Sequence, residues 1–195
     1  TLEKLIEYEA VHAIESWDDL RGRLGTGRRC YAYFHPSMQG EPLIFVEVAL
    51  THGLARELPS LLDHEADRLE ATDADTAIFY SISNCHDGLA GVSLGDLLIK
   101  GVVEELSAEL PNLTAFSTLS PIPGFRSWLE KHLDDSDLLT EEEREQISGD
   151  DPDHANSRLS TIVSSDLPPA EAALEPCRPA LLRLAARYLT VERRG

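Results

Sequence analysis

The chain has 195 residues, 42% hydrophobic and 27% charged, a composition typical of a globular domain. Its formal net charge of −18 argues against nucleic acid and anionic membrane surfaces as partners, because both require a basic patch. No apolar run approaches the roughly 18 residues of a membrane span. Cys30, Cys85 and Cys177 form no C-x-x-C motif, and the seven histidines lack helical zinc spacing. We therefore expect no metal site and a reducing, cytoplasmic compartment.

The first third of the chain predicts one helix, a pair of strands and a second helix. Ser16 precedes two acidic residues and predicts a helix that starts there. Residues 30–35 and 43–50 are rich in aromatic and β-branched side chains and predict an antiparallel hairpin. Residues 54–69 have helical apolar spacing, and Pro59 must lie in the first turn of that helix or break it.

The middle of the chain predicts a βαβ unit. Residues 76–83 and 113–119 are expected to be strands, and residues 94–110 carry apolar side chains on one helical face. A loop over residues 84–91 joins the first strand to the helix. Two strands joined through a helix are expected to be parallel, so with the hairpin the fold class is α/β with a mixed sheet.

The last third predicts helices over residues 125–133 and 179–191, separated by an acidic stretch. Residues 130–153 contain eleven acidic residues against two basic ones. Residues 134–157 are therefore expected to form a solvated excursion with one helical turn at 141–146.

The loop that opens the central helix is the first candidate site. Gly88, Gly91 and Gly95 lie between the end of a strand and the start of the helix. Glycine allows close backbone approach, and amides at a helix start can bind phosphate oxygens without any lysine. The alternative interpretation is a tight turn in which Ser93 and Asp96 form a capping box.

The second candidate is Ser120, which follows the second strand of the βαβ unit. Two prolines and a glycine come directly after it and would hold its hydroxyl still. A fixed hydroxyl suits an oxyanion or a carboxylate, and ligands of α/β sheets bind at such strand ends. The alternative is a turn serine that bonds its own backbone. His35 and His86 also lie near strand ends, where a structural role is the more frequent one.

The sequence resembles the catalytic domain of the malonyl-CoA decarboxylase family over most of its length. The Ser-Pro-Ile-Pro-Gly-Phe block is highly specific to that family. The matching blocks, in chain order, are residues 8–12, 28–31, 40–43, 79–83, 88–95 and 119–125.

The resemblance implies an acetyltransferase-like (GNAT) fold that binds coenzyme A. It implies that Ser120 is the family's catalytic serine. It places the loop that contacts coenzyme A at Ala90, Gly91, Val92, Ser93, Leu94, Gly95 and Asp96. Some members of the family have Glu where this chain has Ser93, which leaves the backbone role of the loop intact. No cofactor is required, since coenzyme A is part of the substrate.

The resemblance also predicts the extent of the domain. Residues 1–195 correspond to most of the acyl-CoA-binding catalytic domain, truncated at both ends. An amino-terminal helical domain, through which a homo-oligomer is expected to form, and a carboxy-terminal segment with the family's catalytic histidine are absent from these residues. This piece alone is therefore expected to be weakly active or inactive.

The expected reaction is decarboxylation of malonyl-CoA to acetyl-CoA and CO2. Two alternatives remain open at this point, an acyl-CoA-dependent N-acetyltransferase and a noncatalytic module that binds coenzyme A. The expected location is the cytoplasm, or mitochondria or peroxisomes in a eukaryotic host.

Overall fold

The computed structural model describes residues 2–55, 57–63, 69–89, 91–148, 154–165 and 171–191. The chain divides into two compact units, Thr1–Ser120 and Pro121–Gly195. We call them the sheet unit and the helical unit. Within the described ranges, no helix combines the length and the apolar character needed to cross a membrane.

The sheet unit contains four strands in the spatial order β1-β2-β3-β4. Their bounds are β1 Arg28–Phe34, β2 Pro42–Thr51, β3 Thr76–Asn84 and β4 Ala115–Thr118. The first two pairs of neighbours are antiparallel, and β3 and β4 are parallel. The predicted hairpin, βαβ unit and mixed α/β sheet are therefore confirmed.

The described residues of the sheet unit form four α-helices: α1 Leu2–Tyr8, α2 Trp17–Arg23, α3 Pro59–Leu62 and α4 Leu94–Glu109. The predicted start of α2 is confirmed, because the Ser16 side chain accepts a hydrogen bond from the Asp19 amide. α4 crosses over between the two parallel strands and buries Leu98, Val102 and Leu106 on one side. The apolar spacing that predicted α4 thus marks the face that packs on the sheet.

The central strands β2 and β3 have buried side chains on both faces of the sheet. On one face, alternate residues of the two strands pack against α4. On the other face, the intervening residues pack against α1, α2 and α3 through Leu5, Leu20 and Leu61. The sheet is therefore the middle layer of the unit.

The helix predicted over residues 54–69 is wrong in extent. Only Pro59–Leu62 is helical among its described residues, and Leu54 is exposed. Pro59 occupies the first turn, where its missing amide hydrogen is tolerated. Arg56 and residues 64–68 of this prediction lie outside the described residues.

The helical unit contains α5 Phe125–His132, α6 Glu141–Ser148, α7 Ala155–Ser164, α8 Glu171–Leu174 and α9 Arg178–Thr190. The predicted helices at 125–133 and 179–191 are confirmed as α5 and α9. The helical turn predicted at 141–146 is confirmed as part of α6. The solvated excursion over the other described residues of 134–157 is wrong, because α6 and the start of α7 pack into a core there. They help to form a core that includes the buried side chains of Leu138, Leu139, Ile147, Ala155 and Leu159.

Candidate active site

The two parallel strands separate at the carboxyl end of the sheet. β4 pairs with β3 as far as Thr118 opposite Phe79, and the Leu119 amide donates to the Phe79 carbonyl at 2.9 Å. β3 continues to Asn84. Within the described chain, residues 80–84 thus have β2 on one side and no strand on the other. Such openings at the carboxyl ends of strands are where α/β sheets bind ligands.

A β-bulge lies where the two strands separate. Glu47 of β2 pairs with Ser81, whereas the next residue, Val48, pairs with Phe79, so Tyr80 has no partner across the ladder. A bulge bends its strand and re-aims backbone groups, and bulges are frequent beside active sites. β3 therefore changes course at the level where it loses β4 as a neighbour.

The glycine loop joins the end of β3 to α4, at the same edge of the sheet. A 3₁₀ turn covers Asp87–Leu89, and Gly91 has a φ of 83°, which favours glycine. Within the described chain, the amides of Ser93, Gly95 and Asp96 donate to no group. Free amides at the start of a sixteen-residue helix can bind an anion.

The capping-box alternative for this loop is wrong. Ser93 occupies the N-cap position, but its side chain makes no capping hydrogen bond. The Asp96 carboxylate instead accepts from Lys100 at 2.7 Å, one turn along the helix. The pairing offsets the negative charge of Asp96 beside the free amides, and it leaves those amides available to a ligand.

The helix start also fits tightly against the sheet. A Cβ atom placed on Gly95 would lie 3.6 Å from Ile82 Cγ2 and 3.7 Å from Ile44 Cδ1. These are ordinary contact distances, so a longer side chain would press on β2 and β3.

The other residues of the expected contact loop differ in exposure. Gly91 and Val92 are exposed, whereas Leu94 is half-buried. Ala90, the first residue of the expected contact loop, lies outside the described residues.

Ser120 is the residue that follows the last hydrogen bond between β4 and β3. The last residue pair is Phe79 with Thr118, and extending that register by two residues would bring Ser120 level with Ser81 of β3. Ser120 is exposed, and its hydroxyl has no partner within the described ranges. The turn-serine alternative, which needs a bond to its own backbone, receives no support from these contacts. Ser120 and the loop at Gly91–Asp96 thus lie at one edge of one unit.

The two candidate histidines have structural contacts. The His86 Nε2 atom lies 3.0 Å from the Pro42 carbonyl oxygen, and its ring packs edge-on to Tyr8. The His35 Nδ1 atom accepts from the Ser37 amide at 3.2 Å. Both arrangements agree with the structural interpretation.

A buried polar cluster underlies β3 on the face that packs against α1 and α2. The Arg23 guanidinium bonds to Asp19 and Glu47, and the pKa of Glu47 is raised to about 7 because burial outweighs the opposing effect of Arg23. Burial also raises the pKa of the Cys30 thiol to about 12, so this thiol stays protonated at neutral pH.

Next to this pair, the hydroxyls of Ser81 and Ser83 donate to the Glu9 carboxylate.

No cluster of three His, Cys, Asp or Glu side chains suited to a metal ion occurs in the part of the chain that the structure describes. The absence of a metal or cofactor requirement stays a prediction.

With this geometry in place, comparison with known proteins identifies the family. A sequence model of the malonyl-CoA decarboxylase C-terminal domain matches residues 1–195. The chain belongs to the malonyl-CoA decarboxylase family. The mitochondrial malonyl-CoA decarboxylase of the goose Anser anser anser is 42% identical over 203 residues, and that of Mus musculus is 40% identical over 207 residues.

Solved malonyl-CoA decarboxylase structures share the fold. That from Agrobacterium vitis has a TM-score of 0.79 at 44% identity, and that from Rhodopseudomonas palustris has 0.78 at 47%. Each comparison covers 96% of this chain, and 44% and 43% of the respective structures. The predicted acetyltransferase-like fold is confirmed as that of the malonyl-CoA decarboxylase C-terminal domain.

The chain spans about two fifths of the length of the curated relatives it matches. The alignments include 98% of this chain, but only 40% of the goose protein and 41% of the mouse protein. The names of both relatives place them in mitochondria.

Sequence reasoning missed the Glu9 cluster and the bulge at Tyr80. A signal for the cluster was present, because Ser81 and Ser83 are two polar residues on one face of an otherwise apolar strand. Two buried hydroxyls in such positions require acceptors, and Glu9 lies in a block that the resemblance covers. The bulge has no comparable signal, since Tyr80 ends a continuous apolar run and nothing in that run marks an irregular pairing.

Proposed function

We propose that this protein decarboxylates malonyl-CoA to acetyl-CoA and CO2. The observation that carries the proposal is the opening between β3 and β4 at the carboxyl end of the sheet, where β3 leads into the helix-start amides and β4 leads into Ser120. An acyl-CoA has two matching parts, a diphosphate and a short acyl thioester. Family membership supports the same substrate.

The reaction breaks the bond between the malonyl carboxylate and the α-carbon. Its electron pair moves into the thioester as an enolate, CO2 leaves, and the α-carbon then takes up one proton. The main electrostatic demand is the negative charge that develops on the thioester oxygen. The Ser120 hydroxyl donates a hydrogen bond to that oxygen, and it is available for this role because no described residue bonds to it.

The diphosphate of coenzyme A binds at the start of α4. The amides of Ser93, Gly95 and Asp96 supply donors, and the helix dipole adds a positive potential there. Lys100 pairs with Asp96 and so limits repulsion of the ligand by that carboxylate. A strongly acidic protein can therefore hold a polyanion through its backbone.

The test is release of CO2 from malonyl-CoA by the full-length protein and by Ser120→Ala. We expect Ser120→Ala to lower kcat about 100-fold or more, the usual effect of removing a donor to an oxyanion. Ser117→Ala is the matched control, because it makes the same change in β4 and leaves activity near that of the wild type. An undiminished rate in Ser120→Ala would remove this residue from the mechanism.

The same preparation distinguishes the alternative functions. Incubation with acetyl-CoA and a panel of amines would reveal acetyl transfer as free thiol released in proportion to amine. A noncatalytic module would bind coenzyme A without either reaction. Turnover of malonyl-CoA without amine-dependent thiol release supports the decarboxylase.

We also propose that the protein acts in the cytoplasm, as a homo-oligomer and without a cofactor. The state of the cysteines supports a reducing compartment. All three are free thiols, and burial raises the pKa of each: Cys30, Cys85 and Cys177. The homo-oligomer rests on the family resemblance alone. The acyl-CoA substrate supplies the chemistry through its own thioester.

A further inference from the structure

The Glu9 carboxylate joins the segment after α1 to the free half of β3. Its Oε1 atom accepts from the amides of Val11 and His12, both at 2.9 Å. The Ser81 hydroxyl lies 2.6 Å from Oε1 and 2.8 Å from Oε2, and the Ser83 hydroxyl donates to Oε2 at 3.2 Å. Four donors therefore converge on one carboxylate, which nearly exhausts its capacity to accept hydrogen bonds.

The serines are held from both sides of this contact. Ser81 is 2% exposed and Ser83 is fully buried, so neither hydroxyl can turn to solvent. The Ser83 Oγ atom also accepts from the Ala10 amide at 3.1 Å. The segment that carries Glu9 is fixed in turn, since the Arg23 guanidinium donates to the carbonyl of His12 at 2.8 Å.

This contact lies where β3 has lost its neighbour. Beyond Phe79, β3 has no hydrogen bonds to β4, and the bulge at Tyr80 interrupts its ladder with β2. A strand with one neighbour and a bulge is poorly restrained at that point. Ser81 is the first residue after the bulge, and the β3–β4 register, extended by two residues beyond its last pair, sets it level with Ser120. Glu9 thus restrains β3 from its face, opposite the proposed catalytic hydroxyl.

We propose that Glu9 is a positioning residue for decarboxylation, acting through Ser81 and Ser83 to hold β3 in the geometry that the thioester requires. The inference rests on the proposed function, because it assumes that the acyl group occupies the opening between β3 and β4. Glu9 itself does not touch the substrate. It acts on the chemical step and leaves binding of the diphosphate at α4 unchanged.

The decisive variant is Glu9→Gln in the full-length protein. Its amide keeps the size of the side chain but replaces one accepting oxygen with an NH2 group, which cannot accept the hydrogen bonds that this oxygen receives. We expect kcat for CO2 release to fall about tenfold, since small displacements at a site slow chemistry strongly. The dissociation constant of coenzyme A should stay within about twofold, because the amides that bind the diphosphate are not in this contact.

A double-mutant cycle with Ser81→Ala tests the route of the effect. Ser81→Ala alone should lower kcat about threefold, and the double variant should be no slower than Glu9→Gln, because both changes break one contact. Independent, multiplicative losses would overturn the proposal. Glu3→Gln is the matched control on α1: it removes the same charge from an exposed residue and should leave kcat unchanged.

The remaining outcomes are also decisive. A folded Glu9→Gln with wild-type kcat, or one that weakens coenzyme A binding as much as it lowers kcat/KM, overturns the positioning role. If Glu9→Gln does not fold, Ser81→Ala and Ser83→Ala carry the test, and unchanged kcat in both overturns it. A wild-type protein that releases no CO2 overturns the proposed function itself, a result that does not depend on any Glu9 variant.

Discussion

The two units place their polar groups in opposite ways. The sheet unit buries charge: Glu47 is fully buried, Arg23 is 3% exposed, and the two are 3.2 Å apart. In the helical unit the ion pair of Arg183 with Glu143 keeps contact with solvent, with 38% and 12% of the side chains exposed. Its interior is an apolar and aromatic cluster. The candidate site lies in the sheet unit, which is the unit with charged side chains in its interior.

The difference follows from how each unit provides hydrogen-bond partners for its backbone N–H and C=O groups. Helices bond their own backbone internally, so side chains of the helical unit need only fill space. A sheet needs neighbours for its strands, and where β3 loses β4 its side chains take over part of that restraint through Ser81, Ser83 and Glu9. In this sheet the opening is accompanied by polar support from side chains, and it is where we propose that the substrate binds.

The largest expected effects come from substitutions that create a cavity in each hydrophobic core. Leu106→Ala in the sheet unit and Leu159→Ala in the helical unit each remove a fully buried leucine, and each should lower the free energy of unfolding of its own unit by about 3 kcal/mol. The two tryptophans make the units separable, because Trp17 is in the sheet unit and Trp128 is buried in the helical unit.

The measurement is urea unfolding followed by fluorescence in a Trp17→Phe background, in which Trp128 alone reports. Leu159→Ala should move that transition to lower urea, whereas Leu106→Ala should leave it in place. Equal shifts from both variants would mean that the cores unfold together and would contradict the comparison.

The sheet unit was largely predictable from sequence because its signals are local. Strands over 76–83 and 113–119 and the helix over 94–110 each fill one window with a regular apolar pattern. The helical unit was less predictable from sequence. In α6 a single buried residue, Ile147, stands among glutamates, and its packing partners come from distant helices. A window dominated by charge hides such a residue, because its burial is decided by tertiary contacts.

The candidate site was predictable to a similar, uneven degree. Ser120 and the glycine loop follow strands that a βαβ unit must place side by side, so topology alone predicts that they share an edge. The failure of Ser93 to cap α4 could not be predicted, since capping depends on a side-chain rotamer. Glu9 lies 72 residues before Ser81, and no local pattern relates the two.

A second effect, of opposite sign in the two units, is the dependence of stability on pH. Burial raises the pKa of Glu47 from its ordinary 4.5 to about 7, so the folded sheet unit holds this proton more tightly than the unfolded chain does. Its stability should fall as pH rises from 4.5 towards 7 and then level off. Arg183 and Thr140 lower the pKa of Glu143, so this carboxylate stabilises the helical unit above its unfolded pKa and ceases to do so in acid.

Unfolding at pH 5 and pH 8 measures the first of these contributions. Glu47→Gln should remove about 2 kcal/mol of the loss that the wild-type sheet unit shows between the two pH values. Glu143→Gln is the counterpart in the helical unit and should change stability at pH 8 more than at pH 3. A Glu47→Gln protein that keeps the wild-type pH dependence would show that another group is responsible.

The smallest expected effect compares two glycines with nearly the same backbone. Gly40, in the sheet unit, has a φ of 77°, and Gly124, before α5, has a φ of 81°. A Cβ atom on Gly40 would meet nothing within 4 Å, whereas one on Gly124 would lie 2.5 Å from the Tyr188 hydroxyl oxygen. Both alanine variants therefore share the strain of a left-handed backbone, about 1 kcal/mol, and differ by the steric contact.

Gly124→Ala should consequently destabilise its unit by about 1 kcal/mol more than Gly40→Ala destabilises the sheet unit. Thermal unfolding of the two variants gives this difference directly. Adding Tyr188→Phe to Gly124→Ala removes the contacting oxygen and should recover part of the loss. The recovery stays incomplete, because the Tyr188 hydroxyl also donates to the Pro123 carbonyl at 2.9 Å. Equal losses at the two glycines would show that the chain before α5 shifts to admit the methyl group, and that the helical unit is less tightly packed there than its aromatic cluster indicates.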